Sequence, residues 1–586
     1  MVSIKKIISK SIANAFISLE YSKKVDVGNI EQLWSIRENP KSKISYAFNK
    51  LLLLSKLLSN NGVQKTPETI YHDIVGKITT DIFTCELRNK KQILITLDKE
   101  WIGVQITHLI NNNLIDKVKN KLKILVDFSS PNIAKDLHVG HLRSTIIGDS
   151  ICRYYEEFGH DVLRINHIGD FGLQFGMLIE YINKYNTSFD SISDLQSLYA
   201  KSKKEFDTDS EFKKAAYQQV VALQSGNEKV RKIWNSICSI SRNSYNKIYK
   251  RLGIRLNEVG ESFYQKFIPD LVIELQEKKM LTFDDGRYII NVEGHKVPLT
   301  VVKSDGGYTY DTTDLAAIKY RLTELNVDKI YYVVDIGQSK HFEMLFKVAE
   351  KMGWKGPDQH LYHIGFGLVL SEDGSKFKSR SGDTIKLISL LDEGTNKTAK
   401  ILESKMELIK NKHGLSEHHQ QKAIKSITYS SIKYADLSSS RHKNYKFSFN
   451  RMLNFNGNTA VYILYAYVRI CGIIRNAQKY VEKDGNKVSK IVLDNELDID
   501  LANYILKFHD TISSIEPKFF FHNLCTFVYK LTCIFHNFVH KLRILEFDEN
   551  NKFVSISMSR YYLCTVTKKV LDKCFDILGI EKIERM

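Results

Sequence analysis

No segment of the sequence reaches the roughly 18 uninterrupted apolar residues that a membrane-spanning helix needs. The longest candidate, Val461 to Ile474, is broken by Arg469, so neither a span nor a membrane partner is expected. Proline is scarce, at 7 residues, and there is no long Gly/Ser stretch. Linkers must therefore be read from changes of hydrophobic period. Internal repeats and strong low-complexity segments are also missing. Cysteine is sparse and scattered, at Cys85, Cys152, Cys238, Cys471, Cys525, Cys533, Cys564 and Cys574. None forms a C-x-x-C pair or a Cys/His array, which argues against zinc or any other resident metal. Thiols embedded in apolar sequence read as reduced core residues, and hence as a cytoplasmic, reducing compartment. The first 19 residues contain no acid. Lys5, Lys6 and Lys10 with Ile4, Ile7, Ile8, Ile12 and Phe16 fit an amphipathic helix better than a transit peptide, because arginine is missing. A basic N-terminus of this kind is still compatible with organellar import.

What is present is length and positive charge. A chain of 586 residues, 43% apolar, is enough for about three to five domains with buried cores. Lys and Arg number 85 against 67 Asp and Glu, for a formal net charge of +18. Such an excess suits a polyanion, with nucleic acid first and an anionic membrane second, and a lysine-rich surface kept for solubility fits equally well.

Residues 1 to about 115 open with helical patterns, Tyr46 to Leu58 among them. They turn strand-like at Gln92 to Leu97 and at Gly103 to Ile110, as in a small α/β domain. From Lys121 strands alternate with helices. Ile124 to Phe128, Asp161 to Ile165, Lys329 to Asp335 and Leu361 to Leu370 read as strands; Val139 to Phe158 and His341 to Met352 read as helices. This alternation argues for a doubly wound parallel sheet, interrupted by polar helical sequence between about 170 and 300. After about Thr384 nearly everything reads as helix. Residues 441–586 hold 22 Lys+Arg, 15 Asp+Glu and 22 aromatics, a mixture that suits RNA even if most of those rings are core.

Two stretches carry chemistry. S-P-N-I-A-K-D-L-H-V-G-H, Ser130 to His141, leaves a buried strand and opens a helix, where backbone N–H groups and the helix dipole favour phosphate. Gly140 permits close backbone approach to a ligand. His138 and His141 lie one turn apart and are placed to donate ring N–H groups to phosphate oxygens. A metal at this histidine pair is disfavoured, because no nearby Glu or Cys completes a ligand set. Downstream, D-G-S-K-F-K-S-R-S-G from Asp373 to Gly382 is a cationic Gly/Ser loop suited to a leaving pyrophosphate, with Lys376 and Lys378 its lysines.

The two stretches resemble the HIGH and KMSKS signatures of class I aminoacyl-tRNA synthetases. The string from Asp127 to Asp149, D-F-S-S-P-N-I-A-K-D-L-H-V-G-H-L-R-S-T-I-I-G-D, resembles the arginyl version. So do N-H-I-G-D-F-G-L-Q-F-G from Asn166 to Gly176 and the closing I-E-R-M. The resemblance spans essentially the whole chain. Its second signature is the degenerate K-F-K-S-R, a form in which Lys135, just before the histidines, takes over phosphate contacts. Phe171 stands where the family often has Trp.

The resemblance implies an α/β fold: a Rossmann-like catalytic domain over 116–455 with its insertion, a small α/β tRNA-elbow domain over 1–115, and an all-helical anticodon-binding domain over 456–586. It implies that arginine is activated with ATP to arginyl-adenylate and pyrophosphate, with Mg²⁺ helping the leaving group. Arginine then passes to the terminal adenosine of its tRNA, and adenylate formation itself needs bound tRNA. The arginine pocket carries over as Ser130, Pro131, Asn132, His141, Tyr310, Asp314 and Gln338. ATP falls to His138, Gly140, His141, Lys376 and Lys378, and catalysis to Lys135, His138, His141, Lys376 and Lys378. Asp127 stands where relatives often have Glu. The residues themselves agree, since a guanidinium is a planar fork of donors best met by a carboxylate. Tyr310 and Asp314, four apart near a helix start, share one face; taken alone, Asp314 would pass for a helix N-cap. Cytidylyltransferase-like enzymes also use H-x-G-H, but usually in shorter chains lacking a basic helical third. A non-catalytic RNA-binding relative should have lost the histidines or the pocket acid. A synthetase for a neutral amino acid has no use for Asp314 and Gln338.

Overall fold

The computed structural model describes residues 3–25, 31–38, 45–375, 385–409, 417–484 and 490–585. Lys376 and Lys378 lie outside the described residues. The chain divides into two compact units: residues 1–116, 454–576 and 581–586 in one, residues 117–453 and 577–580 in the other.

The second unit is built on a five-stranded sheet. Its strands are β1 (Lys123–Asp127), β2 (Asp161–Asn166), β3 (Asn257–Glu258), β4 (Lys329–Tyr332) and β5 (His360–His363), in spatial order β5-β4-β1-β2-β3. All neighbours are parallel. Ile124, Leu125 and Val126 are fully buried, as a central strand covered on both faces requires. Helix α1 (Val139–Phe158) returns the chain from β1 to β2 and stops at Gly159, whose φ of +85° is left-handed. Between β2 and β3 run four helices: α2 (Leu173–Tyr185), α3 (Ile192–Thr208), α4 (Ser210–Gln224) and α5 (Glu228–Leu252). An antiparallel three-stranded sheet at 282–302 follows β3. Helix α6 (Tyr310–Thr323) precedes β4, and α7 (Ser339–Lys351) connects β4 to β5. After β1 the chain builds outward on one side and then returns to the other, so the order reverses between β1 and β4. Ligands of open α/β sheets bind at such a switch, beyond the carboxyl ends of the strands.

The expected strand Leu361 to Leu370 is two strands. β5 ends at His363, and β6 (Val369–Leu370) pairs in parallel with β7 (Tyr445–Lys446) in a separate ribbon. Between them, a Cβ on Gly367 would stand 2.7–2.9 Å from Asn444 and Lys443 atoms, so this backbone lies against a second strand.

The first unit holds an antiparallel sheet of Arg37–Glu38, Ser45–Phe48, Gln92–Leu97 and Phe83–Arg88, in that spatial order. Ile4–Ile17 is an amphipathic helix with Ile4, Ile8, Ile12 and Phe16 buried. Two expectations are corrected here. Tyr46 to Phe48 is strand, and the helix begins only at Leu51. Gly103 to Ile110 is helix, within Lys99–Asn111, with Asp98 as its cap and Ile102, Ile106 and Leu109 buried. The β-branched residues there suggested a strand, but burial follows the 3.6-residue period. A Cβ on Gly103 would stand 2.3 Å from the Ile491 carbonyl oxygen, so this glycine serves close helix packing. Among the described residues, the C-terminal part is built of the helices Ala460–Asp484, Glu496–Leu506, Phe508–Ser513, Phe521–Lys541 and Met558–Leu578, with one antiparallel pair, Leu545–Phe547 and Phe553–Ile556.

Helix α1 meets the sheet through Gly148, where a Cβ would stand 2.2–2.5 Å from ring and Cβ atoms of buried Phe128. Gly148→Ala should therefore cost about 1–3 kcal/mol by overpacking. Thermal unfolding should show a lowered Tm; an unchanged Tm would mean that Phe128 is free to shift.

Candidate active site

The site begins where β1 ends. Ser129, Ser130 and Ala134 all take positive φ, of 73°, 44° and 62°. Non-glycine residues adopt such angles only where their surroundings hold them. Here the holding groups are specific. The Ser130 N–H donates to Asn166 Oδ1 at 2.9 Å and the Ser130 hydroxyl to Asp127 Oδ1 at 2.9 Å. Ser129 Oγ accepts from Thr145 at 2.9 Å and pairs with the Tyr249 hydroxyl at 2.7 Å. The Ala134 N–H donates to Ser241 Oγ, and the Tyr245 hydroxyl reaches the carbonyls of Asn132 and Lys135. Ser241, Tyr245 and Tyr249 are spaced by four on α5, so one helix face clamps the turn. Asn132 bridges Gly169, on which a Cβ would stand 2.2 Å from Asn132 Oδ1. The side chain of Lys135 is exposed.

His138 is the N-cap of α1. Its Nδ1 accepts from the Gly140 N–H at 3.0 Å, and His141 Nδ1 accepts from the His138 N–H at 3.2 Å. The ring centroids are 4.0 Å apart. Because each Nδ1 is an acceptor, the ring proton of each neutral imidazole sits on Nε2. Burial lowers the pKa of both rings. Lys135 adds to the effect on His138, while the neighbouring His138 helps bring His141 to about 3. Both rings are neutral at pH 7. The glycine between them has a role the sequence did not reveal, since a Cβ on Gly140 would stand 2.7 Å from His138 Cε1. The capping also corrects the anion-site expectation. The Gly140 and His141 N–H groups are satisfied within the turn, leaving the ring Nε2–H groups as the better phosphate donors.

Tyr310 opens α6, capped by Thr309, and Asp314 lies one turn in; the N-cap alternative for Asp314 does not hold. Asp314 Oδ2 is 2.7 Å from His341 Nε2, and its Oδ1 is 3.9 Å from His167 Nε2. Asp311 stands 3.5 Å from the other His341 nitrogen, and the Tyr310 and His341 rings are 5.2 Å apart. Burial opposes a proton on His341, but the Asp314 hydrogen bond and charge outweigh it and raise its pKa. Glu261 lines an adjoining cavity of about 670 Å³ with Tyr310, Thr313, Phe171 and Tyr217. Burial, then the charges of Asp314 and Asp170, push its carboxyl up to about 8. Gln338 lies in the turn Ile336–Gln338 after β4; it is exposed and three residues before His341.

A polar relay joins the two halves. From Ser130 it passes to Asp127, then to Arg321 Nη1 at 2.8 Å from Asp127 Oδ2, and from Arg321 Nη2 to His167 Nδ1 at 3.4 Å. His167 then faces Asp314. Asp127 is thereby committed to Ser130 and Arg321. His167, Glu261, Arg321 and His341 had not been singled out as candidates. The contacts that recruit them join residues tens to hundreds of positions apart. Only the Ser241, Tyr245, Tyr249 stripe left a local signal. Lys386 pairs with Asp136 at 2.7 Å, and its backbone bridges His138.

In the other unit, the segment Asn458 to Tyr467 is core at Val461, Ile463, Leu464 and Tyr467. Tyr465 departs from that reading: it is 50% exposed, and its ring lies 5.8 Å from His536 at an interplanar angle of 28°.

Residues 105–449 match the family "tRNA synthetases class I (R), catalytic domain", and residues 463–586 match the "DALR anticodon binding domain". The chain is 44% identical over 555 residues to the cytoplasmic arginine–tRNA ligase of Mus musculus, covering 92% of this chain and 83% of that protein. The Homo sapiens counterpart is 43% identical over 555 residues, with the same shares covered. The crystal structure of arginyl-tRNA synthetase from Plasmodium falciparum superposes with a TM-score of 0.83 at 33% identity, covering 100% of both chains.

The acidic pocket carries its own pH signature. Above about pH 8 Glu261 is charged, and the His341 proton that competes for Asp314, held by a raised pKa, is also given up as pH rises. A guanidinium ligand should bind more tightly as pH rises from 7 to 9, by up to about tenfold per unit where one proton is displaced. Calorimetric titration with arginine should show this slope, and Glu261→Gln should flatten it near pH 8. An unflattened slope would place Glu261 outside the pocket.

Proposed function

The chain belongs to the class I arginyl-tRNA synthetase family, as an arginine–tRNA ligase that uses ATP, arginine and tRNA, and we propose which of its residues serve each step. In the first step the arginine α-carboxylate attacks the ATP α-phosphorus, forming arginyl-adenylate and expelling pyrophosphate. The nucleophile is already ionised, so positioning and charge stabilisation supply the catalysis rather than a general base. His138 and His141 donate Nε2–H to phosphate oxygens, with Gly140 making room for the His138 ring and Lys135 adding positive charge. Lys376 and Lys378, outside the described residues, complete the phosphate contacts in this reading.

Asp314 receives the guanidinium of arginine beside the Tyr310 ring, with Gln338 as a further side-chain reader. Ser130, Pro131 and Asn132 hold the amino and carboxyl groups. The observation that carries this reading is the relay from Ser130 through Asp127, Arg321 and His167 to Asp314. It ties the turn after β1 to the acidic pocket on α6. In the second step the 2′-hydroxyl of the terminal adenosine attacks the adenylate carbonyl and AMP leaves. Residues 1–115 are our candidate for the tRNA elbow, and residues 456–586 for the anticodon. The relatives named above are cytoplasmic, and a cytoplasmic location is our reading here.

Mg²⁺ would accompany ATP as part of the substrate. Among the described residues no group of three His, Cys, Asp or Glu side chains is arranged to hold a metal. Asp136, next to the histidine turn, is already paired with Lys386. These residues do not fit a protein-held ion, and no step is assigned to one.

Arginine-dependent ATP–pyrophosphate exchange, run with and without tRNA, tests the reading. Exchange only with tRNA is the expected result; exchange without it would remove the tRNA requirement. Absence of exchange under both conditions, with folded protein, would overturn the assignment. Asp314→Ala should raise the arginine KM by at least about a hundredfold, the loss of a charge-assisted contact, and leave the ATP KM within about twofold. A normal arginine KM would remove Asp314 from the pocket.

A further inference from the structure

Two residues beyond His141, Arg143 is buried to 1% exposure. Its Nη1 donates to the carbonyl of Gly367 at 2.7 Å and to that of Lys443 at 2.9 Å. Its Nε lies 3.2 Å from Asp436 Oδ2, on α8 (Glu417–Leu437). The guanidinium sits between the rings of Phe366 and Tyr445, 5.9 and 5.2 Å from their centroids. Gly367 and Lys443 each lie two residues before the ribbon strands β6 and β7. The strands are joined beyond them, since the Tyr445 N–H donates to the Leu368 carbonyl and the Phe447 N–H to that of Leu370. One side chain thus ties the histidine helix to both strands of the ribbon whose end, at 371–375, leads toward the second signature.

Stability alone does not account for this arrangement. A buried ion pair gains little over a well-packed apolar pair of the same volume, and removing one partner leaves a costly orphan charge. Here, moreover, Arg143 Nη2 finds no acceptor among the described residues. An incompletely satisfied guanidinium is a poor stabiliser, but its rigid fork fixes direction and spacing well.

We propose that Arg143 is a positioning residue for ATP. It holds the ribbon of β6 and β7 at a set distance from the His138/His141 turn and so governs adenylate formation without touching either substrate. The proposal rests on the assignment of that turn to ATP.

The test uses the full chain in tRNA-supplemented ATP–pyrophosphate exchange. Arg143→Met/Asp436→Leu removes both buried charges together and should keep its Tm within a few degrees. Arg143→Lys keeps the charge and loses the fork. Both should lower kcat/KM for ATP by ten- to a hundredfold and leave the arginine KM within twofold, and the lysine should not rescue. The proposal is overturned by wild-type ATP kinetics in either folded variant, or by arginine and ATP KM values that move together. His141→Ala, run in parallel, separates the two assignments. If it loses ATP use and the Arg143 variants do not, only the positioning role falls. If His141→Ala leaves ATP use intact, the ATP assignment falls and the positioning role with it.

Discussion

The ion pair of Arg321 with Asp127 is the contact on which the site depends. Both side chains are almost sealed from water, with the guanidinium between the rings of Tyr264 and Tyr332. Burial works against the charge on Arg321, yet Tyr264, Asp127 and Tyr332 more than restore it, so the cation persists. Its two amino groups point in different directions: one holds the carboxylate that orients Ser130, the other faces the histidine beside Asp314. Loss of Arg321 would leave Asp127 buried and unpaired, a change that typically costs about 3–5 kcal/mol. It would also uncouple the strained turn after β1 from the acid on α6. The spacing between the turn after β1 and the acid on α6 is therefore held by a buried group that links the two.

Charge balance follows from that arrangement. With Asp127 committed to Arg321, Asp311 and Asp314 are met by His341, Asp314 lies 3.9 Å from His167, Glu261 lines the adjoining cavity, and Asp170 is held by the Ser262 backbone and hydroxyl. The protein keeps this surplus of acid tolerable by holding Glu261 partly protonated and by lending Asp314 a histidine. A guanidinium brings its own permanent charge and five donors, so it replaces both compensations at once. A neutral side chain would leave Asp314 with its histidine contacts alone. On the proposed assignment, selectivity for a cation of that shape follows from these acids.

What the sequence made legible was local. The run from Ile124 to Val126, the turn and the helix from Val139 to Phe158 could be placed because their periods and breakers lie within 30 residues. His138 and His141 stood out through motif spacing, Tyr310 and Asp314 only through the family resemblance, and the parallel sheet through the alternation of elements. The rest depends on contacts that no window spans. Arg321 and Asp127 are far apart in sequence, as are Tyr245 and Asn132 or Gly103 and Ile491. The Gly103 segment illustrates the limit. Its β-branched residues fit a strand by composition, and only the partner against which Gly103 packs shows why a helix wins. Tyr465 shows the converse: its neighbours are core, but its own side chain turns outward on the same helix.

The two signature histidines give the strongest case of local structure shaping chemistry. A bare helix N-terminus offers backbone N–H groups to an anion, and the sequence invited that reading. In this fold the N–H groups of His138 and Gly140 are spent on ring nitrogens and are no longer offered to an anion. The exchange moves the donors outward instead. Each ring is fixed by its Nδ1 and presents Nε2–H at the far side of an imidazole, while desolvation keeps both rings neutral. Neutral donors suit a phosphate whose charge shifts toward the leaving oxygens during the reaction, because they stabilise it without trapping the product pyrophosphate as a permanent cation would. Gly140 makes the arrangement possible, since a side chain there would displace the first ring. The H-x-G-H spacing thus encodes a self-capped helix end before it encodes a nucleotide site, and the second property is a consequence of the first.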